Sequence, residues 1–249
     1  MSVNKKKILL TGSRGLKPGF IGGNFALHYS DKYDITEYEG DIRLAKDIDV
    51  RPFDMVVHLA ALAGVRRSHE IPQDYWQTNV VASKYIFEAC EMANVPIVYA
   101  SSSSIYEWWL SPYATTKYAM EAIAPHFSIG LRFHTVYGPN SRTDMLYDKL
   151  LKRDPKLTYL TNHTRDWTHV NDVCSAIDIC IEKFDEIDER YIDVGNGKPV
   201  SVTDMARFIW PENNLPIKEV TGERDHTCAD PTTLEKYGWK PKHHILEDK

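Results

Sequence analysis

The sequence predicts an α/β fold, a doubly wound parallel sheet with helices on both faces. Short apolar runs alternate with longer segments of helical periodicity, the pattern of strands and crossover helices. The first run passes through a glycine-rich turn into a helical segment, the usual opening of such a sheet. Most other runs also end in polar or glycine-containing turns.

Strands are expected over 6–11, 33–39, 54–59, 96–101, 129–134 and 190–194, and helices over about 20–30, 73–93, 112–125, 171–184 and 202–210. Val173, Ile177, Cys180, Ile181 and Phe184 follow helical spacing and should face the core. After residue 135 the order loosens, interrupted by Pro139, Pro155, Pro199, Pro211, Pro216, Pro231 and Pro241. The expected division is a sheet domain over 1–134, to which 169–194 returns, and a small capping region from 135–168 and 195–249.

The chain has 249 residues, 43% of them hydrophobic, enough for one large domain or one domain with a small annex. Its net charge of -5 argues against a polyanionic polymer as partner, so no nucleic acid is expected. The one basic run, Lys5-Lys6-Lys7, reads as a solvated strand end. Cys90, Cys174, Cys180 and Cys228 form no C-x-x-C pair and read as reduced thiols. The ten histidines show no ligand spacing, so no metal is expected. Ile8-Leu9-Leu10 is too short for a signal-peptide core, and no run approaches the roughly 18 apolar residues of a membrane helix. A soluble, cytoplasmic protein without a membrane partner is the expectation.

Lys7 to Gly12 is a strand that runs into Ser13-Arg14-Gly15-Leu16-Lys17-Pro18-Gly19-Phe20-Ile21-Gly22 and then a helix. Strand, glycine turn and helix N-terminus let backbone N–H groups meet a pyrophosphate, and glycine is needed where a side chain would block close approach. Gly12, Gly15, Gly19, Phe20, Ile21 and Gly22 are the candidates. Glu39 and Asp41 lie 17 and 19 residues beyond Gly22, where a carboxylate meets an adenosine ribose and repels a 2′-phosphate. That favours NAD over NADP. Arg14 argues the other way, since a guanidinium can hold that phosphate.

The strand over 96–101 ends in Ser101-Ser102-Ser103-Ser104, and the helix over 112–125 opens with Tyr113 and Lys117 at i and i+4, on one face. Both lie at the carboxyl ends of strands, where open parallel sheets bind ligands. A phenol has a reference pKa near 10, and a neighbouring ammonium favours the phenolate. With a serine to align the substrate oxygen, Ser102, Tyr113 and Lys117 suit proton removal from an alcohol coupled to hydride loss.

These blocks, taken in order, resemble the extended short-chain dehydrogenase/reductase family, specifically its NAD-dependent nucleotide-sugar epimerases and dehydratases. The likeness runs through Thr11-Gly12, Gly19-Phe20-Ile21-Gly22, Gly40-Asp41-Ile42-Arg43, His58-Leu59-Ala60-Ala61, Asn79, the serine run, Tyr113 to Lys117, Leu131 to Pro139, Arg165-Asp166-Trp167-Thr168 and Gly238-Trp239-Lys240-Pro241. Three blocks are most similar to the UDP-glucuronate 4-epimerases: His58 to Ser68, Ala100 to Tyr106, and Leu131 to Met145. The resemblance implies a Rossmann-like sheet with a substrate-capping region at its C-terminal side. It implies that Asp41 and Ile42 flank an adenine and that Leu59, Ala60, Ala61 and Asn79 line NAD. It also makes Ser102, Tyr113 and Lys117 the catalytic set, and puts Ser103, Thr135, Arg142 and Arg224 on the substrate side. A homodimer through helices 73–93 and 112–125 is implied as well.

Within that family the 4,6-dehydratases carry an Asp–Glu pair after the serine, where this chain has Ser103-Ser104, and related decarboxylases carry a glutamate in place of Ser104. What remains is epimerisation, expected at C4 of a UDP-hexuronate through a transient 4-keto sugar. Arg142 either holds the uronate carboxylate or binds the nucleotide diphosphate. The alternatives are an epimerase or reductase of a neutral nucleotide sugar (UDP-glucose or UDP-N-acetylglucosamine type) and, in another class, a non-catalytic dinucleotide sensor. The chain also departs from the family. The glycine loop carries four extra residues, the stretch up to Asp41 is short, and Ser102 and Tyr113 are only 11 residues apart, with Trp108 and Trp109 between them. The arginine usual two residues before Gly222-Glu223 is absent, with Arg224 nearby.

Overall fold

The computed structural model describes residues 5–14 and 19–247. Six parallel strands form the central sheet: β1 (Lys7–Thr11), β2 (Asp34–Glu37), β3 (Met55–His58), β4 (Ile97–Ser102), β5 (Ser128–Phe133) and, after four short strands, β10 (Tyr191–Val194). Their order is β10-β5-β4-β3-β1-β2. The chain leaves β1 to one side for β2 and to the other for β3. The switch point, where a crevice opens at the carboxyl ends of such sheets, therefore lies between β1 and β3.

Alternation along each strand feeds two cores. Ile8, Leu10, Val57, Val98 and Ile129 meet α1 (Phe20–Tyr29) and α7 (Val170–Glu182) through Phe25, Val173, Ile177 and Ile181. Leu9, Val56, Ile97 and Tyr99 meet α4 (Ala82–Ala93) and α5 (Pro112–Ile123) through Ile86, Phe87, Cys90 and Met120. The segment expected as one helix over 73–93 is α3 (Pro72–Trp76), a π turn at Gln77–Val81 and then α4, preceded by the short α2 (Val65–Glu70). Helix α4 stops at Asn94, whose left-handed φ of 53° ends it.

The remaining elements are small. Strand β6 (Thr135–Tyr137) pairs with β9 (Trp167–His169), β7 (Leu160–Thr161) with β12 (Ile217–Lys218), and β8 (Thr164–Arg165) with β11 (Val200–Ser201). With α6 (Leu146–Leu151) and α8 (Val202–Ile209) they enclose a third core around Tyr137, Leu150, Trp167, Met205 and Ile245. The tail is finer-grained than the expected cap. Leu234 of α9 (Thr232–Lys236) and Trp239 pack into the sheet core, not into this third one. No helix among the described residues is long and apolar enough to cross a membrane.

Candidate active site at the carboxyl edge of the sheet

The site begins where β1 turns into α1. Gly12 has φ +83°, and a Cβ there would stand 2.5 Å from Ala60 N. A Cβ on Gly22 would meet Gly12 O at 2.5 Å, and one on Gly19 would overlap the same carbonyl. Glycine is thus required because the β1 turn and the turn after β3 touch at the switch point. Gly19 caps α1 without a side-chain acceptor, so among the described residues no cap takes the first N–H groups of the helix, which suit an anion. Ser13 Oγ is buried beside them with no hydrogen-bond partner among the described residues. An orphaned hydroxyl, an open helix N-terminus and a close-packed glycine turn fit a dinucleotide pyrophosphate. Phe20 and Ile21 are half-buried in the first turn of α1, and Gly15 lies outside the described residues.

The adenosine side carries a surplus of negative charge. Arg14 is engaged twice, by Glu37 at 3.0 Å and Glu39 at 2.9 Å. Glu37 is the last residue of β2 and half-buried, whereas Glu39 lies beyond the strand and is exposed. Sequence reading missed Glu37 because β2 ends two residues sooner than the periodicity suggests. Asp41 binds the Arg43 guanidinium at 2.6–3.0 Å and accepts from Arg43 N, which holds its carboxyl below the ordinary range. Ile42 is buried beneath it.

Behind the switch point the buried His58 bridges Thr11 at 2.7 Å and Ser83 at 2.9 Å. Thr11 Oγ1 in turn accepts from Ala60 N at 3.3 Å. Leu59, Ala60 and Ala61 are half-buried along the crevice. Asn79 lies in the π turn, a common device at functional positions. It accepts from Leu62 N at 2.8 Å and donates to Leu62 O and Thr116 Oγ1, both at 3.0 Å. Among the described contacts Asn79 therefore clamps the β3 loop to α5.

Helix α5 is started by Ser111, whose Oγ accepts from Ala114 N at 3.2 Å, followed by Pro112 in the first turn. Tyr113 is thereby fixed at the mouth, where Ser102 interacts with its phenol. Burial holds the Tyr113 pKa above the usual phenol value, outweighing the lowering by Ser102 and by the Arg142 charge. Lys117 takes a different course from the one its spacing suggests. Its ammonium donates to Ala100 O at 2.7 Å and to Met120 Sδ at 3.7 Å, and burial pulls it down to about 7 against the pull of Glu121. The lysine ammonium reaches the strand beneath the helix, and the Arg142 charge, from a distant loop, lowers the Tyr113 pKa.

On the substrate side Ser103 is buried and Thr135 half-buried at the start of β6. Arg142 binds Asp144 at two points and approaches Gly64, where a Cβ would stand 3.8 Å from its Nη2. Arg224 donates to Ser103 O and to Glu107, each at 3.0 Å. Sequence reading passed over a second cationic pair. Arg66 and Arg165 converge on Glu223 at 2.8 and 3.6 Å. Residues so far apart in sequence carry no local signal of this meeting. Asn24, also unforeseen, ties α1 to the loop after β6 through Pro139 O at 3.1 Å.

Comparison with known proteins follows this geometry. The model of the NAD dependent epimerase/dehydratase family matches residues 24–195. This chain belongs to that family. UDP-glucuronate 4-epimerase 3 of Arabidopsis thaliana is 34% identical over 259 residues, covering 82% of this chain and 60% of its own length. Protein CapI of Staphylococcus aureus is 37% identical, covering 84% and 83% respectively. Among solved structures, MoeE5 in complex with UDP-glucuronic acid and NAD superposes with a TM-score of 0.80 at 27% identity, covering 97% of this chain and 95% of that one. The chain spans about 60% of the length of the Arabidopsis enzyme. Family membership and the parallel sheet agree with what the sequence predicts.

Proposed function

We propose that this chain inverts C4 of a UDP-hexuronate, interconverting UDP-glucuronate and UDP-galacturonate with NAD as a recycled cofactor. The observation that carries the reading is the pairing of Ser102 and Tyr113 at the end of β4, with the Arg142 cation acting on the same phenol. The glycine turn, Ser13 and the first turn of α1 hold the pyrophosphate, and Glu37, Glu39 and Asp41 face the ribose and adenine. When bound, NAD would supply a reversible hydride acceptor for C4. Tyr113, as the phenolate, takes the C4 hydroxyl proton at its Oη as the hydride leaves C4 and gives it back when the hydride returns, while Ser102 aligns the sugar oxygen. The buried Lys117 supplies positive charge beneath them. A 4-keto uronate is a β-keto acid and loses CO₂ readily. Arg142, with Ser103 and Thr135, therefore has to hold the carboxylate away from the leaving geometry. The UDP-glucuronate 4-epimerase activity of the Arabidopsis relative and the UDP-glucuronic acid bound to MoeE5 support this sugar.

One observation favours a second reading. Asp144 already fills the Arg142 fork, which suits a neutral nucleotide sugar that needs no free cation. The deciding experiment incubates the protein and NAD separately with UDP-glucuronate, UDP-glucose and UDP-N-acetylglucosamine and follows epimer formation by NMR. Epimerisation of UDP-glucuronate in preference to the neutral sugars supports the first reading, and the reverse preference the second.

We also infer a homodimer through α3, α4 and α5, whose outer faces expose Trp76, Met92, Tyr118 and Ile123. Sedimentation at working concentration tests it. A cytoplasmic setting suits the thiols of Cys90, Cys174 and Cys180, which burial pushes up to about 12.

A further inference from the structure

Three consecutive residues of β4 each meet one turn of α5. Ser102 interacts with the Tyr113 phenol. Ala100 O accepts from Lys117 Nζ at 2.7 Å. Ser101 Oγ donates to Glu121 Oε1. Residues 113, 117 and 121 stand one turn apart on a single helix face, so the strand end and the helix are keyed in one register.

The third contact has no part in the mechanism above, yet it is the most heavily built. Glu121 is 5% exposed and binds Arg132 of β5 through Nε–Oε1 at 3.0 Å and Nη2–Oε2 at 2.9 Å. Lys117 is 2% exposed, and its two hydrogen-bond acceptors, a carbonyl and a thioether, carry no charge. A buried ammonium persists only beside a compensating charge. The charged or titratable groups that act on it are Glu121 on its own helix and His58 on β3, with Arg132 of β5 bound to the far side of the same Glu121 carboxylate. His58 is held neutral by burial, with its pKa pushed down to about 3. Glu121 is the group that raises the pKa of Lys117.

We propose that Glu121 is a positioning residue for this site: its carboxylate keeps Lys117 protonated inside the core and, through Ser101, locks α5 on β4 so that Tyr113 and Lys117 meet the strand end together. This rests on reading Tyr113 and Lys117 as the catalytic pair. It makes Arg132 a rival for the same carboxylate, so the two substitutions act on Lys117 in opposite directions.

The test titrates Lys117 itself, by NMR of protein carrying ¹³Cε-lysine, with its resonance assigned by its loss in Lys117→Met. In Glu121→Gln the midpoint falls by about one pH unit, and Glu121→Asp, which keeps the charge, restores most of it. A folded Glu121→Gln protein with the wild-type midpoint overturns the proposal. If Glu121→Gln does not fold, Arg132→Gln decides: removal of the rival cation raises the midpoint, and an unchanged or lower midpoint overturns the idea. In turnover, Glu121→Gln lowers kcat with little change in the sugar KM and moves the alkaline limb of the pH profile downward. A purely structural role lowers kcat equally at every pH. A wild-type protein that turns over no nucleotide sugar removes the proposed reaction and leaves the lysine midpoint to decide the role of Glu121.

Discussion

Arg142 grips Asp144 at two points, Nε to Oδ1 at 2.9 Å and Nη2 to Oδ2 at 3.2 Å, while its charge also lowers the Tyr113 pKa. A uronate carboxylate entering the fork has to displace Asp144. Arg142 is half-buried and Asp144 exposed, and pairs open to solvent contribute little, so the exchange costs little. Asp144→Asn should lower the KM for UDP-glucuronate by about two- to fivefold and leave that for UDP-glucose unchanged. Arg142→Ala should raise the uronate KM by about 10–150-fold, the worth of a charged hydrogen bond. Equal effects on both sugars would assign Arg142 to the diphosphate.

Tyr113→Phe removes the hydroxyl that Ser102 holds. Turnover should fall by about 10²–10⁴-fold, as for loss of a general base, while NAD still binds. Stopped turnover measured beside NAD titration checks both halves. Near-normal turnover would place the base elsewhere.

Cofactor choice rests on Arg14 being occupied. Glu37 and Glu39 hold it at 3.0 and 2.9 Å, and a 2′-phosphate brought there meets two carboxylates. In Glu37→Ser/Glu39→Ser the guanidinium is released to bind that phosphate. The ratio of NADP to NAD affinity should rise by an order of magnitude or more, read by fluorescence titration of both dinucleotides. An unchanged ratio would mean that preference is set elsewhere, with Asp41 the next candidate.

Acid stability should trace to His58. Burial depresses its folded pKa to about 3 from 6.5. Between those values the unfolded chain binds a proton that the folded one refuses, so stability is lost as pH falls below 6.5 and continues to fall toward 3. The slope from this group is at most about 1.4 kcal/mol per pH unit. His58→Gln should flatten the dependence of Tm on pH across that window, whatever it does to Tm at neutral pH. A parallel curve would show that other groups govern acid unfolding.

The candidate site residues were legible because their pieces are local in sequence. The glycine turn is one continuous stretch, and Ser102, Tyr113 and Lys117 sit on neighbouring elements whose periods are readable. Glu37 escaped because a strand end is blurred by one or two residues, and one residue decides which side chain reaches the crevice. Arg66, Arg165 and Glu223 escaped for another reason. Their elements are two or more crossovers apart, and no spacing rule links them.

Pattern and chemistry in the sequence were sufficient to determine the parallel sheet and to single out the glycine turn and Ser102, Tyr113 and Lys117 as candidates, since each reading follows from side-chain periodicity and residue type over a few turns. Tertiary structure alone decided which charges those groups meet. It turned Lys117 onto Ala100 O and toward Glu121, brought Arg142 to Tyr113, and placed Arg14 between two carboxylates. Electrostatic effects depend on distance and burial in space, and neither can be counted along the chain.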